Sequence, residues 1–369
     1  MEDGDDFGHE AARHGDLALL KQRIEAGSPW DERTCAAAAA GGHLDVLEWL
    51  KQQGCPWDEL TCAGAARGGH LHILQWCRQQ GCPWDEFTCA RAARGGHLHI
   101  LQWARKEGCP WDELTCARAA RGGHLHILQW CRQQGCPWDE GTCDWAAEEG
   151  HLHILQWARQ HGGPWTPLSC AHAALNGHLH ILQWARSQIP PCPWDAWTCA
   201  NAARRGYLHI LQWLREQDRP CPWEEHTCAY AARGGYLHIL QWARSQGCPW
   251  DAWTCTYAAE HGHLDLLQWV RQQRCPWNEI PFHPRGKIAQ NGHWHLLQWA
   301  LQNGASSWNH HTPMLNGLPG QYQARQWLTQ KFSWTEESTQ WTDAVTNVLE
   351  DVLDPLLCRD VCHLVKYYV

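Results

Sequence analysis

Residues 82–108 read Cys-Pro-Trp-Asp-Glu-Phe-Thr-Cys-Ala-Arg-Ala-Ala-Arg-Gly-Gly-His-Leu-His-Ile-Leu-Gln-Trp-Ala-Arg-Lys-Glu-Gly, and nearly all of the chain consists of copies of this unit. The Pro-Trp pair recurs at Trp30, Trp57, Trp84, Trp111, Trp138, Trp165, Trp194, Trp223, Trp250 and Trp277, at a spacing of 27 residues broken by two intervals of 29. A fixed period of this length marks a stack of supersecondary units, each burying its apolar face on its neighbours. Within one copy the punctuation is helical. In Pro56-Trp57-Asp58-Glu59 a rigid turn leads to an Asp suited to cap a helix, with an acidic residue in the first turn. Gly68-Gly69 ends that helix, and a second one is expected from about His70 to Gln80, stopped by Gly81. Cys62, Ala65 and Ala66 cluster on one side of the first helix, while Ile73, Leu74, Trp76 and Cys77 share one arc of the second. Small residues facing large ones allow close approach, with the Trp (Trp76, Trp130 and their equivalents) expected as the main filler of the core.

Such an array makes the 369 residues one elongated body rather than a set of separate globular domains. The formal charge of −9 and the acidic start, Met1 to Asp6, argue against nucleic acid as the partner, since that needs a net basic footprint. No basic-then-apolar leader and no apolar run long enough to cross a bilayer is present, so the expected home is intracellular and cytoplasmic, away from the membrane. Of the 21 cysteines, 17 fall at two fixed places in the repeat, before Pro-Trp (Cys55, Cys82) and after Thr (Cys62, Cys89). Neither place gives a Cys-x-x-Cys pair, so small buried thiols, reduced and metal-free, are expected rather than zinc ligands.

Residues 1–28 lack a Pro-Trp, but Ala11-Ala12 and Gly15-Asp16-Leu17 are in register with Ala38-Ala39 and Gly42-His43-Leu44. They read as a charged capping repeat, because the end unit of a stack has one face without a neighbour. The two longer intervals hold Ile189-Pro190-Pro191-Cys192 and Asp218-Arg219-Pro220-Cys221, insertions too short to make a lid. After Trp277 the pattern decays: Pro281 and Pro284 interrupt a first helix, the array ends near residue 304, and 305–332 is a degenerate repeat around Trp308 and Trp327. Residues 333–369 differ in composition and form a tail.

The unit Thr61-Cys62-Ala63-Gly64-Ala65-Ala66, followed by Gly69-His70-Leu71-His72-Ile73-Leu74, resembles the ankyrin repeat, with its Thr-Pro-Leu-His-x-Ala-Ala stretch, Gly-His and paired aliphatics. The resemblance covers roughly residues 8–304. It implies an all-α, ankyrin-like helix-turn-helix solenoid with shortened fingers, because the 27-residue unit lacks the residues that build the family's projecting hairpin. Short, Trp-rich copies of this kind look like those in the ankyrin families of large DNA viruses of protists and of some algae. In a viral setting the compartment would be the host cytoplasm.

Comparing the repeats with each other separates positions that serve stacking from positions left free. In the first helix the variable slots are 60, 64, 67 and 68, a spacing that places them on one face, which in the ankyrin family lines the concave surface. Counting from the Trp30 copy, repeats two to four put Arg67, Arg91, Arg94, Arg118 and Arg121 in these slots. Repeats five to nine put Trp145, Trp197, Tyr230, Trp253 and Tyr257 there, among His172, His226, Glu148 and Glu149. Exposed Trp, Tyr and Arg gathered on one face are what interfaces use, so these ten are the candidate partner-binding residues. The second helix carries a row His72, His99, His126, His153, His180, His209 and His238, expected to face solvent. The histidine of each Gly-His is expected to make a structural hydrogen bond at the start of that helix, on a different face from the histidine two residues on.

No phosphate loop, nucleophile elbow or His-Glu-x-x-His occurs, so neither an enzyme nor a cofactor is expected. The function expected is protein–protein interaction by a monomer, with a protein or peptide partner and an acidic segment favoured by the arginines. The tail offers an alternative. Leu357, Asp360, Val361, Val365, Tyr368 and Val369 resemble the opening of an F-box, with Cys358 in place of the expected Pro. Ankyrin proteins of poxviruses resemble this arrangement, which would imply a substrate adaptor that recruits a ubiquitin ligase. The other reading of the tail is an amphipathic helix that caps the last repeat.

Overall fold

A helix of only nine or ten residues is marginal alone in water, so each helix here depends on its caps and on burial against its neighbours. The computed structural model describes residues 6–27, 29–276 and 287–291, with scattered positions from 293 to 303. Helix Glu59–Gly68 shows how the caps work. The Asp58 carboxylate accepts from the Leu60 amide at 3.0 Å, Glu59 sits in the first turn, and Gly69 closes the helix in the left-handed conformation. Helix Leu71–Gln79 follows without a side-chain cap at His70, and ends in the loop that leads to the next Pro-Trp. The same pair recurs as Glu86–Gly95 with Leu98–Lys106, and as Glu113–Arg121 with Leu125–Gln133. Among the described residues there is no strand, and no helix is long and apolar enough to cross a membrane.

The chain divides into two compact units, Met1–Ala202 with Gln212–Pro222, and Ala203–Leu211 with Trp223–Val369. The division falls within the repeat that the two longer loops flank. In the first unit, first helices pack on first helices in series, from Asp6–His14 through Glu32–Gly41, Glu59–Gly68 and Glu86–Gly95 to Pro167–Leu175, each with its second helix alongside. In the second unit Glu225–Arg233 packs on Ala252–Glu260 in the same way. Over its described residues each unit is thus an all-α helix-turn-helix solenoid with short loops where fingers would project. The inserted residues of the 29-residue intervals stay in the loop: Cys192 N–H still bonds Ala185 O at 3.0 Å, as Cys82 N–H bonds Cys77 O at 2.9 Å.

The core consists of Ile, Leu, Ala and Cys. Ile127, Leu128, Cys131, Cys116, Ala119 and Ala120 are fully buried, whereas Trp130 is half-buried. The expectation that Trp fills the core is therefore corrected. Trp sits at the edge of the apolar arc, where the second-helix Trp meets the Pro-Trp ring of its own repeat, edge-on in most described repeats, Trp111 and Trp130 at 5.8 Å for example, and tilted for Trp30 and Trp49. The Arg two residues further along joins that ring pair to the next repeat. Arg105 lies 4.1 Å over Trp111 and donates through Nη1 to the carbonyl of Cys109, and Arg78 does the same with Trp84 and Cys82.

The interruption at Pro281 and Pro284, the boundaries at 304 and 332, Trp308, Trp327 and the F-box-like Leu357, Asp360, Val361, Val365 and Tyr368 lie outside the described residues.

Candidate interaction surface

Helix Glu59–Gly68 buries Thr61, Cys62, Ala63, Ala65 and Ala66, which leaves Glu59, Leu60, Gly64, Arg67 and Gly68 uncovered. The variable slots 60, 64, 67 and 68 are thus less enclosed than the constant ones, although slots 64 and 68 also face the preceding repeat, where a Cβ on Gly64 would stand 2.6 Å from Ala36 O and one on Gly68 2.4 Å from Ala40 O. Stacking is carried by constant side chains acting on main chain. The Cys82 thiol donates to Asp58 O at 3.4 Å and Cys109 to Asp85 O at 3.3 Å, from each repeat to the one before. These thiols also lie beside the Thr-Cys thiol of the preceding repeat, and the contact with Cys109, together with burial, pushes Cys89 well above the usual thiol range. The 19 cysteines among the described residues are free and buried, and no group of three His, Cys, Asp or Glu there is arranged to hold a metal ion.

The Gly-His histidine locks two repeats. His97 Nε2 donates to Arg67 O at 3.1 Å and His124 Nε2 to Arg94 O at 3.2 Å, so the bond runs to the end of the preceding first helix rather than to its own second helix. Burial is the main cause that holds His70, His124 and His178 below the ordinary imidazole value, which keeps the rings neutral. His72, His99 and His126 are exposed as expected, but the separation of the two rows is corrected. The rings of His70 and His72 meet at 6.2 Å, because His70 precedes the helix with φ −96° and ψ 74° and so does not follow the helical spacing.

The arginines collect in repeats two to four. Arg91 is held below its usual value by burial and then by the like charges of Arg67 and Arg94. For Arg118 the causes are burial, then Arg94, Arg91, Arg121 and Arg67. Among the described residues Arg67, Arg91, Arg94 and Arg118 form no ion pair. Arg121 is different: it binds Glu148 at 3.2 Å and Glu149 at 2.9 Å, which ends the basic strip at repeat five. Trp145 lies between the two strips, with the Arg118 guanidinium 4.6 Å and the Arg121 guanidinium 5.5 Å from its ring centre. His172 Nδ1 stands 4.0 Å from Glu148.

The aromatic residues are divided between the two units, with Trp145 beside the arginines in the first. Trp197, 46% exposed, belongs to the first unit, while Tyr230, Trp253 and Tyr257 belong to the second. There Tyr230 and Tyr257 stack at 6.0 Å, Trp253 lies 5.5 Å from Tyr257, and Arg204 and Arg233 each sit 5.8 Å over a tyrosine ring. Trp253, Tyr257, His226, Ala229 and Asp251 line a shallow hollow of about 240 Å³. Burial, then the like-charged neighbour Tyr230, raises the Tyr257 hydroxyl above the usual phenol value.

Two features lay outside the reading of the sequence. The helix-two arginine, always six or eight residues before the next Pro-Trp, bridges repeats, and its constant spacing was the available signal. Asp144 stands where other repeats have a buried Ala (Ala63, Ala90, Ala117) and is 5% exposed. It accepts from Ser169 and, at 3.5 Å, from Thr166, both in the next repeat. Thr166 there replaces the usual Asp cap, so a hydroxyl rather than a second carboxylate faces the buried acid.

Comparison with solved structures finds the human ASB11 ankyrin repeat domain, which is 16% identical and aligns over 42% of this chain and 84% of that one with a TM-score of 0.33. No protein-family model matches the chain, and no curated protein does.

Proposed function

We propose that this protein is an interaction scaffold without chemistry of its own, and that the uncovered face of its first helices binds a protein or peptide carrying an acidic segment. The observation that supports this reading is the set Arg67, Arg91, Arg94 and Arg118, brought onto one face and lacking ion-pair partners among the described residues. Holding like charges together is unfavourable, and an anionic ligand relieves that repulsion while gaining charge-assisted hydrogen bonds. Arg121 is assigned the supporting role of ending the strip, since Glu148 and Glu149 already engage it. The stacked tyrosines with Trp253 are read as a second contact area of the same scaffold.

The test is affinity capture with the full chain and with Arg91→Glu combined with Arg118→Glu. Both residues are partly exposed, so the melting temperature should hardly change. Specific partners should be captured at least about tenfold more weakly, equivalent to about 1.4 kcal/mol. Unaltered capture by the folded double variant would remove this face from the reading. The adaptor alternative rests on the resemblance at Leu357, Asp360, Val361, Val365 and Tyr368, and a chain ended at residue 332 should then lose a ubiquitin-ligase adaptor while keeping the other partners.

A further inference from the structure

The uncovered residues of repeats two to four form rows that run across the stack. Glu59, Glu86 and Glu113 make an acidic row at the helix starts, and Leu60, Phe87 and Leu114 make an apolar row beside it. Leu60 is 42% and Phe87 39% exposed. Further along the same helices come Arg91 and Arg118, then Arg67 and Arg94. A rise of 1.5 Å per residue puts the apolar row about 6 Å from the first arginine row and about 10 Å from the second.

This pattern has ends. Repeat one offers Arg33 in the apolar slot and Ala40 in the second arginine slot. Repeat five offers Gly141 in the apolar slot, and Glu148 and Glu149 at the basic end. An apolar side chain and a guanidinium without an ion pair among the described residues therefore coincide in repeats two to four, the Arg118 guanidinium also lying over Trp145.

We infer that this patch recognises an extended peptide segment in which an apolar residue recurs at every third position with an acidic residue beside it. The inference rests on the binding face proposed above and specifies its ligand. Neighbouring first helices pack directly on one another, so equivalent side chains are spaced about 8–10 Å apart. A polyproline-type chain advances about 9 Å in its three-residue turn, so that every third side chain points the same way, whereas the side chains of a β-strand alternate with a period of two. One side chain in three thus meets the apolar row, and the next face of the ligand turns toward the arginines. The apolar row is a single side chain wide, whereas an amphipathic helix presents an apolar stripe at least about 100° across, which this row does not match. Three repeats accommodate about nine ligand residues. The acidic row sets the polarity: a ligand acid must face the arginines, since on the other side it meets Glu59, Glu86 and Glu113.

The probe is a labelled twelve-residue peptide of repeated Leu-Pro-Glu, titrated against the full chain by fluorescence anisotropy. A permuted peptide of the same composition without the period, and an acidic helical peptide with a seven-residue period, serve as competitors. The periodic peptide should bind at least about tenfold more tightly than the permuted one, and Phe87→Asp and Arg91→Glu with Arg118→Glu should each weaken it by about tenfold or more. If Phe87→Asp does not fold by circular dichroism, Leu60→Asp replaces it. Equal binding of periodic and permuted peptides, with loss in the arginine variant, overturns the register while leaving the face intact. Tighter binding of the helical peptide overturns the extended ligand. Failure of every peptide to bind at about 1 mM overturns the inference, with capture by the arginine variant deciding the face separately. Binding indifferent to Phe87 and to the arginines overturns both.

Discussion

The histidine lock between repeats gives a quantitative test, because two glycines with the same backbone conformation differ only in what surrounds them. Gly96 has φ +84° and Gly108 has φ +85°. An Ala in this left-handed region costs on the order of 1 kcal/mol at either site, after allowing for the reduced freedom of the unfolded chain. Around Gly108 nothing lies within 4 Å of an added Cβ, so Gly108→Ala should cost only that amount. At Gly96 the Cβ would stand 2.8 Å from His124 Cε1 and 3.0 Å from its Nε2, well inside van der Waals contact. The ring lies between two glycines, its other edge facing Gly122, where an added Cβ would likewise stand 2.6 Å from Cδ2. Moving it breaks the 3.2 Å bond from Nε2 to Arg94 O, a loss of about 1 kcal/mol, and disturbs the packing between repeats. Gly96→Ala should thus cost about 2–4 kcal/mol against about 1 for Gly108→Ala. In a His124→Ala background the excess should vanish, a coupling of about 1–3 kcal/mol in a double-mutant cycle. Urea unfolding followed by tryptophan fluorescence, with hydrogen exchange to locate the weakened repeats, supplies the four stabilities. Equal costs for the two glycines, or an excess that survives removal of His124, would refute the claim that the ring is a lock.

Acid should weaken the array below neutrality. His70, His124 and His178 have folded values below that of the unfolded chain, so the unfolded state takes up protons first, and their stabilising share is present above about pH 6.5 and lost as pH falls toward the lowered folded values. His124→Tyr, matching Tyr236 in the same slot, should flatten the fall in melting temperature below pH 6.5, and an unchanged slope would assign that fall to other groups. Ile127→Ala, at a fully buried site, should cost about 2–5 kcal/mol, and half-buried Trp130→Ala clearly less; the reverse order in chemical denaturation would restore Trp as the core filler. Asp144 is held above the usual carboxylate range mainly by burial, so its folded form loses stability as pH rises through the interval from the unfolded to the folded value. Asp144→Ala should therefore stabilise the chain by on the order of 1 kcal/mol at pH 8 and by less at pH 4, and a destabilised variant at pH 8 would show that the hydrogen bonds from Ser169 and Thr166 outweigh the burial of charge.

The helices were legible in the sequence because their determinants are local. An Asp cap, a glycine that must take positive φ and an apolar arc at helical spacing all lie within a dozen residues, and each recurs in nearly every copy. The uncovered face was legible for a related reason. The bonds that hold repeats together run from constant side chains to main chain, Cys82 to Asp58 O and His97 to Arg67 O, and a carbonyl is present whatever side chain its residue bears. Slots such as 60, 64 and 67 are then free to vary without loosening the stack, and comparison of the copies exposes them. What stayed hidden was pairing between variable slots of different repeats. Arg121 meets Glu148 and Glu149, and Asp144 meets Ser169, at separations of 25 to 28 residues that no helical period connects. Reading each helix face by itself makes Arg121 one more free cation, when its charge is already matched. The half-burial of Trp130 was hidden by size: its Cα lies on the arc of Ile127 and Leu128, but the indole extends past the small-residue face opposite and stops against Trp111. A departure from the common unit that coincides with a second departure one repeat away, as Ala-to-Asp at 144 does with Asp-to-Thr at 166, is therefore the signal that separates a slot committed to its neighbour from one left open for a partner.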